Sequence, residues 1–422
     1  MNKVSFKEAF LFWLKLGFIS FGGPAGQIAI MHEYLVEKKK WISESKFLHA
    51  LNYCMLLPGP EAQQLATYMG WLMHGVWGGV IAGILFILPS VFILLGLSIA
   101  YVTYGNTDFV AGIFYGIKPS VAAIILLAVI KIGQKALKTK VDYAVAVLSL
   151  CALLFLKIPY SLLILVVIVF GFLYQQFSKS KNESESSSAI SFDKKLRTRT
   201  IIYTLIFILL WLIPFAGISY ASAFFSKMSW FFTQSALVTF GGAYSVLVYV
   251  SQHAVEKLHW LTQSQMVDGL ALGETTPGPL IMVLSYVGFI GAYNEFHQNI
   301  FAGAVGLLIT TYFTFLPSFA FILIGAPVVE MTQENKFIKQ VLGFVTAAVV
   351  GVVANLFLFT LGSIYFPMTE DSLSHACLFP LIWIIISVLA MKKFNANMIA
   401  WIFVSGVIGY LLMLVGYLPS GM

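Results

Sequence analysis

Two carboxylates in this chain stand where an acid–base or charge-coupling role is conceivable. Glu61 follows the triplet Pro58-Gly59-Pro60, and Glu274 precedes the triplet Pro277-Gly278-Pro279, with Thr275 and Thr276 between. Both lie in apolar surroundings. Proline removes a backbone donor and glycine permits unusual backbone angles, so a helix ends on entering such a triplet and another begins beyond it. A helix start directs unpaired N–H groups and a positive dipole end at whatever sits there, which favours an anion. Phe21-Gly22-Gly23-Pro24 and Phe240-Gly241-Gly242 are breaks of the same kind. The candidate anion-binding residues are therefore Gly22, Gly23, Pro58, Gly59, Pro60, Gly241, Gly242, Pro277, Gly278 and Pro279. Their polar neighbours Gln27, Gln64, Ser245, Thr275 and Thr276 join them. Four positive helix ends at one depth suit a small, multiply charged anion.

Glu61 is favoured at a helix start, and a simple stabilising first-turn acid is the plainer reading of it. Glu274 is stranger, because it closes a helical arm where the dipole disfavours a carboxylate, in a deep apolar stretch where burial penalises ionisation. A carboxylate beside a dianion repels it unless protonated, so Glu61 and Glu274 are the candidate proton-coupling groups. Lys15, isolated within Phe12-Trp13-Leu14-Lys15-Leu16-Gly17, either faces the site or snorkels to an interface. Lys118, just before Pro119, reads as an anchor at the start of a span. His32, Glu33, His49, His74 and His297 have no metal-ligand spacing, so neither metal nor cofactor is expected. Cys54, Cys151 and Cys377 sit in apolar segments without a CxxC spacing and read as small core residues.

The elements that must hold these residues repeat. The two triplets are 219 residues apart, and the same spacing carries Trp41 onto Trp260 and Phe21-Gly22-Gly23 onto Phe240-Gly241-Gly242. Pairing 21–60 with 240–279 gives 12 identities in 40, including Val36-Glu37-Lys38 with Val255-Glu256-Lys257. Leu88-Pro89-Ser90 and Leu316-Pro317-Ser318 continue the match at an offset of 228, the extra residues fitting the polar stretch 294–299. Breaks duplicated at fixed spacing argue for a site rather than for kinks that merely aid packing.

Of 422 residues, 59% are hydrophobic and only 10% charged, against about 25% charged in a soluble domain. Uncharged runs long enough to cross a hydrocarbon core of about 30 Å recur throughout. The net charge of +7 lies between these runs, where it sets topology rather than binding nucleic acid. The apolar run behind Lys3 and Lys7 lacks a small-residue cleavage site and is expected to be retained.

In order, the chain reads as a broken stretch at 6–36, two arms at 43–57 and 61–75 hinged at the first triplet, and spans near 76–104, 117–137, 141–156 and 158–177. Ser43 is placed to cap the first arm and Pro60 suits the first turn of the second. A serine-rich linker follows. The second half adds a span at 200–222, a broken stretch at 227–255, arms around 277–279, and spans near 300–324, 341–362, 375–391 and 396–418. The divisions are 1–177, a cytoplasmic linker 178–199, a connecting helix 200–225 and a second repeat 226–422. Lys38–Lys40, Lys131, Lys135, Lys138 and Lys140 have counterparts holding one lysine between them, so equivalent loops belong on opposite sides. The expected fold is an all-α integral membrane protein of two homologous inverted-topology repeats with broken, re-entrant helices.

Phe21-Gly22-Gly23-Pro24, Lys40-Trp41-Ile42 and the run Leu51 to Leu65 (LNYCMLLPGPEAQQL) resemble the signature of the chromate ion transporter family, and the two halves resemble its long, two-domain members. The resemblance implies proton-driven efflux of chromate, a tetrahedral dianion shaped like sulfate, across a prokaryotic inner membrane by a multi-pass protein. The partners are then a chromate- or sulfate-like oxyanion, protons and membrane lipid, with a homodimer one admissible assembly. The second half departs from the first, with Ala243 in place of Pro24 and Leu280 in place of Glu61, so the halves cannot make identical contacts. The alternatives are a sulfate or other oxyanion transporter, a channel, and a membrane-embedded enzyme acting on a lipid phosphate. The last needs clustered carboxylates or histidines, and the sequence has no such cluster.

Overall fold

In the first half, helix α1 (Phe6–Ile19) stops at Ser20, and α2 (Gly23–His32) runs on through a π-helical turn, Glu33–Lys38. Helix α3 (Glu44–Leu56) enters the first triplet and α4 (Glu61–Tyr104) leaves it. The second half repeats the order with α9 (Ala223–Leu237), α10 (Ala243–Ser251) extended by a π-helical turn Gln252–Lys257, and α11 (Gln263–Thr275). Past the second triplet come a 3-10 turn (Leu280–Met282), α12 (Val283–Glu295) and α13 (Ile300–Val329). This computed structural model describes all residues except 1–3, 22, 106, 179–193, 241, 330–335, 366–377 and 417–422, together with the side chains of 25, 56, 175–178, 194–196, 327–329 and 336–340. Gly22, Gly241, Cys377 and most of the linker lie outside the described residues.

Helix α4 is not one rod. His74 leaves helical angles and Gly75 takes φ +66°, a value open to glycine, so a short arm, 61–73, folds back against a long arm, 76–104. Small residues let the two backbones meet: Gly70 lies against Gly78 and Ala82, and Thr67 against Gly79 and Gly83. Helices α12 and α13 form the corresponding hairpin, with Gly288 against Gly306 and Thr310. The sequence reading of an arm followed by a full span holds in both halves.

The contacts also fix which ends lie together. His74 Nε2 is 3.0 Å from the Val4 carbonyl, and Lys39 Nζ is 3.0 Å from Glu8, so the start of α1, the end of α2 and the α4 bend share one face. Phe224 packs on Trp260 and on Phe296, which gathers the start of α9, the end of α10 and the α12–α13 bend at another. Gly79 lies against Leu323 and Gly83 against Phe319, so the long arm of α4 and α13 pass antiparallel.

Around this core stand α5 (Asp108–Ala136), α6 (Lys140–Phe155), α7 (Tyr160–Ser178), α14 (Lys336–Tyr365), α15 (Leu378–Lys393) and α16 (Met398–Leu414). Helix α14 packs on α5, α6 and α7, while α15 and α16 pack on α5. Ser120, Ser387, Ser405 and the indole N–H groups of Trp383 and Trp401 join α5, α15 and α16 through a buried hydrogen-bonded cluster. Helix α8 (Lys194–Ala221) lies outside, against α9 and α13, its crossing stretch unburied. Among the described residues no strand occurs, and five helices are long and apolar enough to cross a membrane.

Three local expectations are corrected. Ser43 holds the cap position of α3, but its hydroxyl makes no capping bond. Pro60 is itself the cap residue of α4, one position before the first turn. Helix α5 begins at Asp108 rather than near 117, so Lys118 and Pro119 are inside it. An internal proline is tolerated in a membrane helix because neighbouring side chains and packed helices satisfy the freed groups.

Candidate functional site

The two triplets are each docked into the other repeat. Gly59 N–H donates to the Thr239 carbonyl at 2.7 Å, and Gly278 N–H donates to the Ser20 carbonyl at 2.7 Å. Ser20 and Thr239 end α1 and the α9 segment, and they differ by the same 219 residues as the glycines. Gly59 has φ +127° and Gly278 has φ +101°, angles that favour glycine. There is also no room for a side chain. A Cβ on Gly278 would strike the Ser90 hydroxyl, and one on Gly59 would strike Ser318 and Gln64.

The carbonyl groups of the triplets are tied down as well. Ser90, midway along the long arm of α4, donates to the Pro277 carbonyl. Gln64 Nε2 donates to the Pro58 carbonyl at 2.8 Å, and Gln27 Nε2 donates to the Gly278 carbonyl at 2.6 Å. With these acceptors held by protein donors, the turns present the N–H ends of the following helices. Those ends carry no side-chain cap at Pro60, Gly242 or Pro279. Of the helices starting at the periphery, five are capped, by Ser5, Thr139, Ser222, Thr262 and Asn397, while α3 and α5 are not. Open N–H ends at the junction of two repeats make a preorganised seat for negative charge.

Both carboxylates reach one of these ends. A Glu61 oxygen lies 3.9 Å from the Cβ position of Gly242, the cap of α10, whose φ is +98°. Glu274, 5% exposed, accepts a hydrogen bond from the Tyr244 hydroxyl at 2.9 Å. Tyr244 is the second residue of α10. The acids thus flank the start of α10 from two repeats, Glu61 at its cap and Glu274 through its first turn.

The other candidates divide. Gly23, at φ +67°, opens α2 with nothing against its Cβ position. Ser245 shares its hydroxyl proton between the carbonyls of Phe240 and Gly242, and the hydroxyls of Thr275 and Thr276 both donate to the Leu272 carbonyl. Each has only one proton to give, so in this arrangement these hydroxyls shape the breaks rather than face a ligand. Lys15 shares the exposed face of α1 with Leu11, Phe18 and Ile19, which fits snorkelling and separates it from the junction. Pro58, Pro60, Pro277 and Pro279 frame the turns.

Several residues here escaped the sequence reading. Ser20 and Thr239 were findable, since the 219 spacing pairs them. Ser90 and Ser318 ended the aligned Leu-Pro-Ser pairs, yet a serine in an apolar span carries no signal of its own. Tyr244 stands where the first repeat has Ala25, so the repeat gave no hint of it. Ser20 Oγ, Ser318 Oγ and the Oε1 atoms of Gln27 and Gln64 are buried without a hydrogen-bond partner, a concentration of spare polarity at the junction.

Comparison with known proteins identifies the family. A family model described as chromate transporter matches residues 7–173 and again 226–410. A chromate transport protein of Pseudomonas aeruginosa is 30% identical over 359 residues, covering 83% of this chain and 80% of that protein. A probable chromate transport protein of Synechococcus elongatus is 28% identical, covering 83% of each. An uncharacterized transporter of Methanocaldococcus jannaschii is 28% identical over 98% of this chain and 96% of its own length. No solved structure matches.

Proposed function

This chain belongs to the chromate transporter family, and from that premise we propose that it is a secondary transporter exporting chromate, or a sulfate-like dianion, with protonation of Glu61 or Glu274 accompanying anion binding. The chain is a multi-pass membrane protein whose work is transport rather than catalysis. The observation that carries the substrate reading is the reciprocal docking of the triplets. It sets uncapped helix starts from both repeats around one junction, where backbone N–H groups can surround a tetrahedral oxyanion. The inverted relation of the repeats is part of the same proposal and is supported by the antiparallel passage of the long α4 arm and α13. A site shared by two inverted units opens to either side as one unit rocks against the other.

The coupling follows from electrostatics. An ionised Glu61 at the α10 cap occupies the dipole end that the substrate would use, and like charge beside a dianion is costly at short range. A proton on Glu61 or Glu274 removes that repulsion, so anion and proton favour each other at the site. With one proton accompanying the dianion, one net negative charge moves outward, which an inside-negative potential favours by about 2.3 kcal/mol per 100 mV while an inward proton gradient opposes it.

The test is radiolabelled chromate and sulfate flux in proteoliposomes against pH, for the wild type, Glu61→Gln and Glu274→Gln. The wild-type half-saturation concentration should fall as the pH is lowered. Each glutamine variant should bind the anion while losing part of that pH dependence and the response to an imposed pH gradient. Unchanged pH profiles in both variants would remove these carboxylates from the coupling. Absence of any wild-type oxyanion flux would remove the substrate reading.

A further inference from the structure

Lys118 and Asp268 form an ion pair between the repeats that the substrate junction does not use. Lys118 Nζ, on α5, lies 3.0 Å from Asp268 Oδ1, on α11, and donates to Ser264 Oγ at 2.8 Å. Asp268 Oδ2 accepts from the Tyr101 hydroxyl at 2.8 Å, and the Tyr101 ring packs edge-on against Tyr286. The carboxylate is sealed, with 7% of its side chain exposed, while the lysine keeps 19% exposed. Burying such a pair costs several kcal/mol of desolvation that apolar residues of similar volume would not incur. A pair that is closed on its acidic side and open on its basic side has the form of an anion seat whose resident anion is a carboxylate.

Its place along the chain supports that reading. Helix α4 touches Pro277 through Ser90 and Asp268 through Tyr101. Asp268 lies six residues before Glu274 on α11, which at 1.5 Å a residue puts the pair about 9 Å from the junction, towards the start of α11. That start lies at the face where Trp260, Phe224 and Phe296 gather. Helix α11 therefore carries Ser264 and Asp268 near that face and Glu274 at the junction, in one rigid piece.

We propose that Lys118 and the Ser264 hydroxyl form a second oxyanion station between the junction and this face, where a tetrahedral dianion displaces Asp268 from Lys118 during passage. Ser264 accepts from Lys118, which leaves its own O–H proton to donate to the anion. Asp268 holds the lysine when no anion is there and is retained by Tyr101 when one arrives. The station rests on the oxyanion-transport reading above, and wild-type flux tests that reading separately.

The experiment is sulfate flux in oriented proteoliposomes, with substrate supplied at the α11-start face. Variants are Asp268→Asn, Lys118→Gln and the neutral pair Lys118→Gln/Asp268→Asn. Adding or removing one charge-assisted hydrogen bond to the anion changes half-saturation about tenfold. Asp268→Asn should lower the half-saturation concentration about tenfold, and the double variant should raise it by about as much. A purely structural pair predicts the reverse pattern, with damaged single variants and a double variant at the wild-type value, and that result overturns the station. A second arm needs no substitution: on the wild type, saturating sulfate, but not gluconate, should slow modification of Lys118 by an amine-reactive reagent read by mass spectrometry. Equal modification in both salts also overturns it.

Discussion

Gly278 shows how much a single missing side chain carries at the junction. Its N–H holds Ser20, its carbonyl is held by Gln27, and its absent Cβ makes room for the Ser90 hydroxyl. Gly278→Ala should therefore abolish oxyanion flux in proteoliposomes while the protein still inserts. Adding Ser90→Ala relieves the collision but leaves φ at +101°, so the pair should recover only part of the flux; full recovery would mean that backbone angle is not limiting. The glycines and prolines were legible because a duplicated break has no common alternative explanation. Ser245, Thr275 and Thr276 were legible as neighbours of the breaks but not in their direction, which is set by the nearest free carbonyl. Lys15 was ambiguous for the same reason: its sequence neighbours are apolar on either face, and only the packing of α1 shows which one it shares.

At the scale of elements, the two hairpins decide how the broken arms stand. The short arm of α4 is held to the long arm by the Gly70–Gly78 and Thr67–Gly83 contacts, and α12 to α13 by Gly288 and Gly306. Interhelical contact in lipid depends on such close approach, since apolar bulk alone gives no preference over lipid tails. Gly70→Leu should force the arms apart and cost about 1–3 kcal/mol, read as a lower unfolding temperature in detergent. Leucine at Gly96, which has open space at its Cβ position, is the control and should leave that temperature unchanged. The duplicated breaks located these arms within a few residues, because glycine and proline punctuate them. It misplaced the start of α5, since Pro119 looks like a beginning when only the local chain is read. The Lys118–Asp268 pair was out of reach for a related reason: its partners are 150 residues apart and sit on elements with no repeat relation.

For the whole molecule, the shared junction and the two gathered faces follow from the duplication that the sequence displayed. If the repeats are inverted, Lys39 and His259 face opposite sides. Single cysteines at the two positions, probed in intact cells with an impermeant reagent, should label from opposite sides, and equal labelling from one side would sink the inverted arrangement. The reciprocal docking has a further consequence, for the order of birth. Gly59 leaves the ribosome 180 residues before Thr239, its acceptor, so at about 5–20 residues per second its N–H waits roughly 10–40 s for a partner. The first repeat alone is thus a half-closed clasp, which the second must complete inside the bilayer. Two separate chains cut within 178–199 should then each be degraded when expressed singly and should restore oxyanion flux when expressed together, as measured by protein level and tracer uptake. Survival of residues 1–177 alone at normal abundance would show that the clasp needs no second half.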